Sequence, residues 1–211
     1  MRTKTLLFTA ALGAVGVTSA VAQVYSVNAV GYVNKTLKPG FNMVANPLDA
    51  GAGKNTVGVV FAGVPDGTTI YKFAAGYVIN DYSELFGWSD ANMSVAPGEG
   101  VFVKVPAGAD VNLTFVGEVM QGDLKLDLPS GFSMVASKVP QAGKVSTDLK
   151  YPVADGDTVY KFANPGGYSI FDYSELFGWS PEEPQAAVGE AFWSKKSGAA
   201  TWSRTFSVNT P

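Results

Sequence analysis

Asp81-Tyr82-Ser83-Glu84-Leu85-Phe86-Gly87-Trp88-Ser89 recurs letter for letter as Asp172-Tyr173-Ser174-Glu175-Leu176-Phe177-Gly178-Trp179-Ser180, 91 positions later. Chance does not repeat nine consecutive residues, so the chain carries an internal duplication, and the duplicated unit decides the fold. The same offset pairs Gly40-Phe41 and Met43-Val44-Ala45 with Gly131-Phe132 and Met134-Val135-Ala136. It also pairs Gly76-Tyr77 with Gly167-Tyr168, Gly98-Glu99 with Gly189-Glu190, and Phe115 with Phe206. Asp66-Gly67 and Tyr71-Lys72-Phe73 match Asp155-Gly156 and Tyr160-Lys161-Phe162 at an offset of 89, so the connecting loops differ by two residues.

Within each copy the apolar residues fall in short runs. In the first, 30–37, 41–45, 69–73, 77–80, 101–105 and 111–116 are rich in Val, Tyr, Phe and Thr, and Pro39-Gly40, Pro65-Asp66-Gly67, Pro97-Gly98 and Pro106-Ala107-Gly108 break them. Val101-Phe102-Val103-Lys104-Val105 and Val111-Asn112-Leu113-Thr114-Phe115 alternate as half-buried strands do, and no long helical period is present. Short strands at this spacing bury one face by stacking or closure. The expectation is an all-β protein of two tandem homologous small β-sandwich or barrel domains, 23–118 and 119–211, with the boundary near Glu118.

The nonapeptide itself reads as one capped helical turn, with Asp81 as N-cap, Glu84 returning to the cap, Leu85 and Phe86 facing inward, and Gly87 ending the turn. The rival is a catalytic carboxylate pair, Asp81/Glu84 and Asp172/Glu175. The cap accounts for the spacing, the glycine and the duplication together, and is preferred.

Composition narrows the chemistry. The 211 residues contain no cysteine and no histidine, which excludes disulfides, Ser-His-Asp and Cys-His nucleophiles, and the usual zinc, haem and iron–sulfur ligand sets. Charged residues make up only 16%, with 15 basic against 18 acidic, and the lysines are scattered with no basic stripe among them, so nucleic acid is not an expected partner. Arg2 and Lys4 precede an apolar run, Leu6 to Ala22, that closes on Ala20-Val21-Ala22, the pattern of a cleaved signal peptide over residues 1–22. Seventeen residues weakened by Gly13 and Gly16 fall short of a bilayer span. Losing Arg2 and Lys4 leaves 13 basic against 18 acidic residues, a net of −5. The expected product is secreted or at the cell surface, with no membrane span after leader cleavage.

Three motifs dissolve on inspection. Gly51-Ala52-Gly53-Lys54-Asn55 lacks the glycine and the hydroxyl residue of a phosphate loop, since Leu48 and Asn55 stand at those positions. Asp155-Gly156-Asp157 suggests calcium, yet its counterpart is Asp66-Gly67-Thr68, and a hairpin turn explains it better. No serine has lysine three places on. Lys72 and Lys161, each between Tyr and Phe, should point away from the aromatic faces into solvent. No catalytic residue, metal site or cofactor is expected. Aromatics carry the remaining signal: Tyr77, Trp88, Tyr168 and Trp179 could form a stacking platform for sugar rings, although duplicated aromatics in a charge-poor chain more often fill a core.

Pro39-Gly40-Phe41-Asn42-Met43-Val44-Ala45-Asn46-Pro47-Leu48, followed by Pro97-Gly98-Glu99-Gly100-Val101-Phe102-Val103, resembles a family of secreted bacterial tandem β-repeat proteins of verrucomicrobial type. The resemblance covers both copies, with Ser137-Lys138 in place of Asn46-Pro47 and Ala191 in place of Gly100 in the second. It implies an exported, non-enzymatic β module and brings no ligand. At the chain ends, Tyr25-Ser26-Val27-Asn28 resembles Phe206-Ser207-Val208-Asn209, two repeat lengths on. Tyr25, Val27, Phe206 and Val208 are therefore candidates for head-to-tail self-assembly through terminal strands. The plainer alternative makes them edge strands of their own domains. The expected partners are the chain itself or an extracellular polysaccharide.

Overall fold

The structure, a computed structural model, describes residues 29–208, so the leader, Tyr25 and Val27 lie outside the described residues. Its first half runs β1 (Val30–Leu37), β2 (Gly40–Ala45), α1 (Val57–Val60), β3 (Thr69–Phe73), β4 (Tyr77–Ser83), β5 (Gly87–Trp88), β6 (Gly100–Val105) and β7 (Val111–Glu118). The second half runs β8 (Gly122–Leu128), β9 (Gly131–Val135), β10 (Gly143–Lys144), β11 (Thr158–Ala163), β12 (Gly167–Ser174), β13 (Gly178–Ser180), β14 (Gln185–Ala186), β15 (Phe192–Lys196) and β16 (Ala200–Phe206). The protein is all-β, and the strands expected from alternation are present.

Corresponding strands share one arrangement. A five-stranded antiparallel sheet in the order β2-β6-β3-β4-β5 in the first half matches β9-β15-β11-β12-β13 in the second. A two-stranded ribbon, β1 with β7 or β8 with β16, accompanies each sheet. Period-two alternation in β6 sends Val101, Val103 and Val105 to one face of the sheet and Phe102 to the other. The first face packs with Leu37, Leu113 and Phe115 of the ribbon and with Val57, Val60 and Phe61 around α1. The second half repeats this with Leu128, Val135, Val159, Phe192 and Trp202.

The opposite faces of the two sheets meet each other. Met43, Ala45 and Phe102 from one half form a single buried cluster with Met134, Ala136, Ala191 and Trp193 from the other. The contacts come in reciprocal pairs. The Ala45 amide donates to the Gly189 carbonyl at 3.1 Å, and the Ala136 amide to the Gly98 carbonyl at 3.0 Å. Val44 bridges Glu190 as Val135 bridges Glu99. Each contact maps onto its mate through the 91-residue offset, which is the signature of an isologous, two-fold seam inside one chain. A Cβ on Gly100 would stand 2.7 Å from that of Ala191, its own counterpart, which places both beside the axis.

Two expectations are corrected. The nonapeptide is a β-hairpin: Ser83 pairs with Gly87 across Glu84-Leu85-Phe86, and Gly87 and Gly178 both have φ of +73°. A three-residue loop closed by a glycine in the left-handed region competes with a helical turn for the same letters, and the flanking strand pairing decides between them. Leu85 and Phe86 consequently point into solvent, 80% and 85% exposed, and Leu176 and Phe177 do the same. Asp81 is not a cap; it accepts a hydrogen bond from the Thr69 hydroxyl across the ladder at 2.8 Å. Lys72 and Lys161 do turn away from the aromatic face, but neither is free in solvent. Lys72 Nζ donates to Glu99 at 2.8 Å and to the Ser94 carbonyl, and Lys161 lies 3.1 Å from Glu190.

Candidate functional site: twin aromatic clefts on the seam

Alternation places Tyr71 and Phe73 of β3 on the seam side of the first sheet with Phe41, Phe102 and Tyr77 of the neighbouring strands. Tyr160, Phe162, Phe132, Trp193 and Tyr168 occupy the corresponding positions in the second. Near the axis the two sheets are in contact; away from it they leave two clefts. One, of about 330 Å³, is lined by Phe41, Tyr71, Tyr77, Phe102, Phe162 and Tyr168. The other, of about 390 Å³, is lined by Phe73, Tyr77, Phe132, Tyr160, Tyr168 and Trp193. The two lists exchange under the repeat offset, so the clefts are a pair related by the seam axis. Tyr77 and Tyr168 line both.

The rings form a continuous circuit. Phe41 leans on Tyr71 at 5.6 Å, Tyr71 meets Tyr77 edge-on, and Phe73 crosses the seam to Trp193 at 4.9 Å. Trp193 touches Phe132, which leans on Tyr160, and Phe162 returns across the seam to Phe102 at 5.3 Å. Most of these pairs are T-shaped, the arrangement that opposes ring edges to ring faces. They build walls instead of a flat floor. The polar content is small: Trp193 Nε1 donates to the Tyr168 hydroxyl at 3.2 Å, and the Tyr77 phenol is pushed up by burial and by the neighbouring Tyr168. At the margins, Lys104 Nζ stands 5.8 Å from the Phe41 ring and Lys195 Nζ 5.9 Å from the Phe132 ring.

Of the four aromatic candidates, the structure brings together two. Tyr77 and Tyr168 sit in the clefts, 51% and 49% exposed. Trp88 and Trp179 do not join them. They rest on Tyr82 and Tyr173 against the two cores, and Trp179 Nε1 donates to Ser146 Oγ at 3.0 Å. Phe41, Phe73 and Phe102, with their counterparts Phe132, Phe162 and Trp193, are the cleft residues that sequence reasoning missed. Their signal was present in the offset, which aligns Phe41 with Phe132, and in Tyr-Lys-Phe, whose outer letters share a face. The assembly candidates resolve partly: Phe206 pairs with Gly122 inside its own ribbon, and the Val208 amide donates to Gln121 Oε1 at 3.1 Å.

Asp81 and Asp172, two of the carboxylates weighed as acid–base groups, are tied into the strand ladder. Asp172 accepts from the Thr158 hydroxyl as Asp81 does from Thr69, and the Glu84 and Glu175 amides donate to Asp66 and Asp155. Among the described residues no three acidic side chains cluster to hold a metal, and no helix is long and apolar enough to cross a membrane. No protein-family model, curated protein or solved structure matches the chain.

Proposed function

We propose that the chain is an exported, non-enzymatic structural or surface-associated component that acts by contact, with the paired aromatic clefts as its contact surface. The observation that carries this reading is the cleft pair itself: concave, apolar, walled by aromatic rings and repeated about the seam axis. Concave apolar sites with a few polar groups are where proteins take partners, and exposed apolar surface of this extent is otherwise a burden on solubility. A second reading, a polysaccharide module, is favoured by the exposed rings and hydroxyls of Tyr77 and Tyr168, which offer sugars both a stacking face and a hydrogen bond. Tyrosine nitration followed by mass spectrometry tests both. Tyr77 and Tyr168 become protected when a partner fills the clefts, whether a second molecule at high protein concentration or an added polysaccharide. Equal modification under all these conditions removes the clefts as a contact surface.

A further inference from the structure

The hairpin tips and the clefts are complementary. Each tip presents an adjacent Leu and Phe, Leu85-Phe86 or Leu176-Phe177, at the most exposed apolar positions among the described residues. The turn itself does not require them. Its geometry rests on Gly87 and Gly178 at positive φ, on the Ser83 and Ser174 hydroxyls accepting the Leu85 and Leu176 amides, and on Asp66 and Asp155 accepting the Glu84 and Glu175 amides. Polar residues would serve equally at the two central positions, yet both copies keep Leu-Phe.

We propose that these tips are knobs that seat in the aromatic clefts of a second copy of this chain, joining molecules to one another. The proposal rests on the clefts being the contact surface and names what fills them. The numbers agree, because each chain carries two knobs and two clefts. So do the charges. Each knob is flanked by a glutamate, Glu84 or Glu175, and each cleft is bordered by a lysine, Lys104 beside Phe41 or Lys195 beside Phe132. All four side chains are exposed, and among the described residues none of them belongs to an ion pair. A knob of one molecule seated in a cleft of another is a heterologous contact, which runs on from chain to chain where its rotation does not close a ring. An apolar anchor in an aromatic pocket with a charged rim is the usual anatomy of an interface that holds.

Sedimentation velocity of the chain without residues 1–22, over a wide concentration range, tests this. The unaltered protein is expected to shift to larger species as concentration rises, with Tyr77 and Tyr168 becoming protected from nitration. The Phe86→Ser/Phe177→Ser variant, altered only where the chain is solvent-exposed, should keep its melting temperature and associate at least about tenfold more weakly. Reversing the knob charge with Glu84→Lys/Glu175→Lys should weaken association by roughly three- to tenfold. Adding Lys104→Glu/Lys195→Glu to that variant should restore it. Association that survives loss of the Phe knobs but disappears in Tyr77→Ala/Tyr168→Ala overturns the knobs and leaves the clefts as a contact surface. Protection by polysaccharide in a protein that stays monomeric at every concentration has the same meaning. A monomer whose clefts no partner protects overturns both.

Discussion

Lys196 and Asp157 show how much one position can change between two copies of the same unit. Both side chains are buried and form an ion pair in which Lys196 also donates to the Pro152 carbonyl, while Asp157 accepts from the Ala154 and Ser197 amides. At the corresponding positions the first half has Val105 and Thr68, with Pro65 and Pro106 replacing the two amide donors. The prolines have no N–H, so removing the carboxylate there leaves no backbone donor stranded. Removing one partner of a buried pair exposes the other to a medium that cannot solvate it. Lys196→Met is therefore expected to cost about 3–5 kcal/mol in urea unfolding, whereas Lys196→Val/Asp157→Thr/Ala154→Pro/Ser197→Pro, which reproduces the first half, should cost much less. Glu183 gives a pH-dependent counterpart. Burial would raise its pKa, but hydrogen bonds from the Ser146 and Thr147 hydroxyls and amides hold it below its ordinary value of 4.5. A carboxylate with a depressed folded pKa contributes stability that is present above 4.5 and is lost as pH falls through the folded value. Glu183→Gln is expected to be less stable by about 1 kcal/mol at pH 7, with a flatter decline below pH 4.5, measured by thermal unfolding across pH.

The hairpin carrying the duplicated nine residues separates what the strand pattern reveals from what it hides. Alternation in Val101–Val105 and Val111–Phe115 identified strands correctly because one face of each is buried, and period two is a direct record of that burial. The nine residues are ambiguous, since a turn capped by Asp81 and a three-residue hairpin loop both end on the same glycine, Gly87. Only the pairing of Ser83 with Gly87, a relation between strands, distinguishes them. Gly87→Ala and Gly178→Ala are expected to destabilise by about 1 kcal/mol each, because a Cβ is disfavoured at φ +73° although nothing lies within 4 Å of it. Phe86→Ala should change stability by less than about 0.5 kcal/mol. Denaturant midpoints for the three variants check both expectations.

At the scale of the molecule, the all-β class and most of the strands were legible; their order in sheets and ribbons, and the seam, were not. Nothing local in Met43-Val44-Ala45 or Phe102 says that the face away from the core will meet its own counterpart; that depends on how two halves dock. The paired lysines were hidden for the same reason, since Lys72 and Glu99 lie 27 residues apart and meet only in the folded sheet. The seam is tight where Gly100 faces Ala191 and Met134, whose Cγ would lie 2.8 Å from an added Cβ. Gly100→Leu is expected to force the halves apart at a cost of about 1–3 kcal/mol and to raise the fluorescence sensitivity of Trp193 to soluble quenchers, while Gly198→Leu, where nothing lies within 4 Å of an added Cβ, should leave that quenching unchanged. An interface that maps onto itself when its two sides are exchanged makes the molecule a pseudo-dimer: each half presents to the other the face that it receives, so a single polypeptide holds a symmetry that ordinarily takes two.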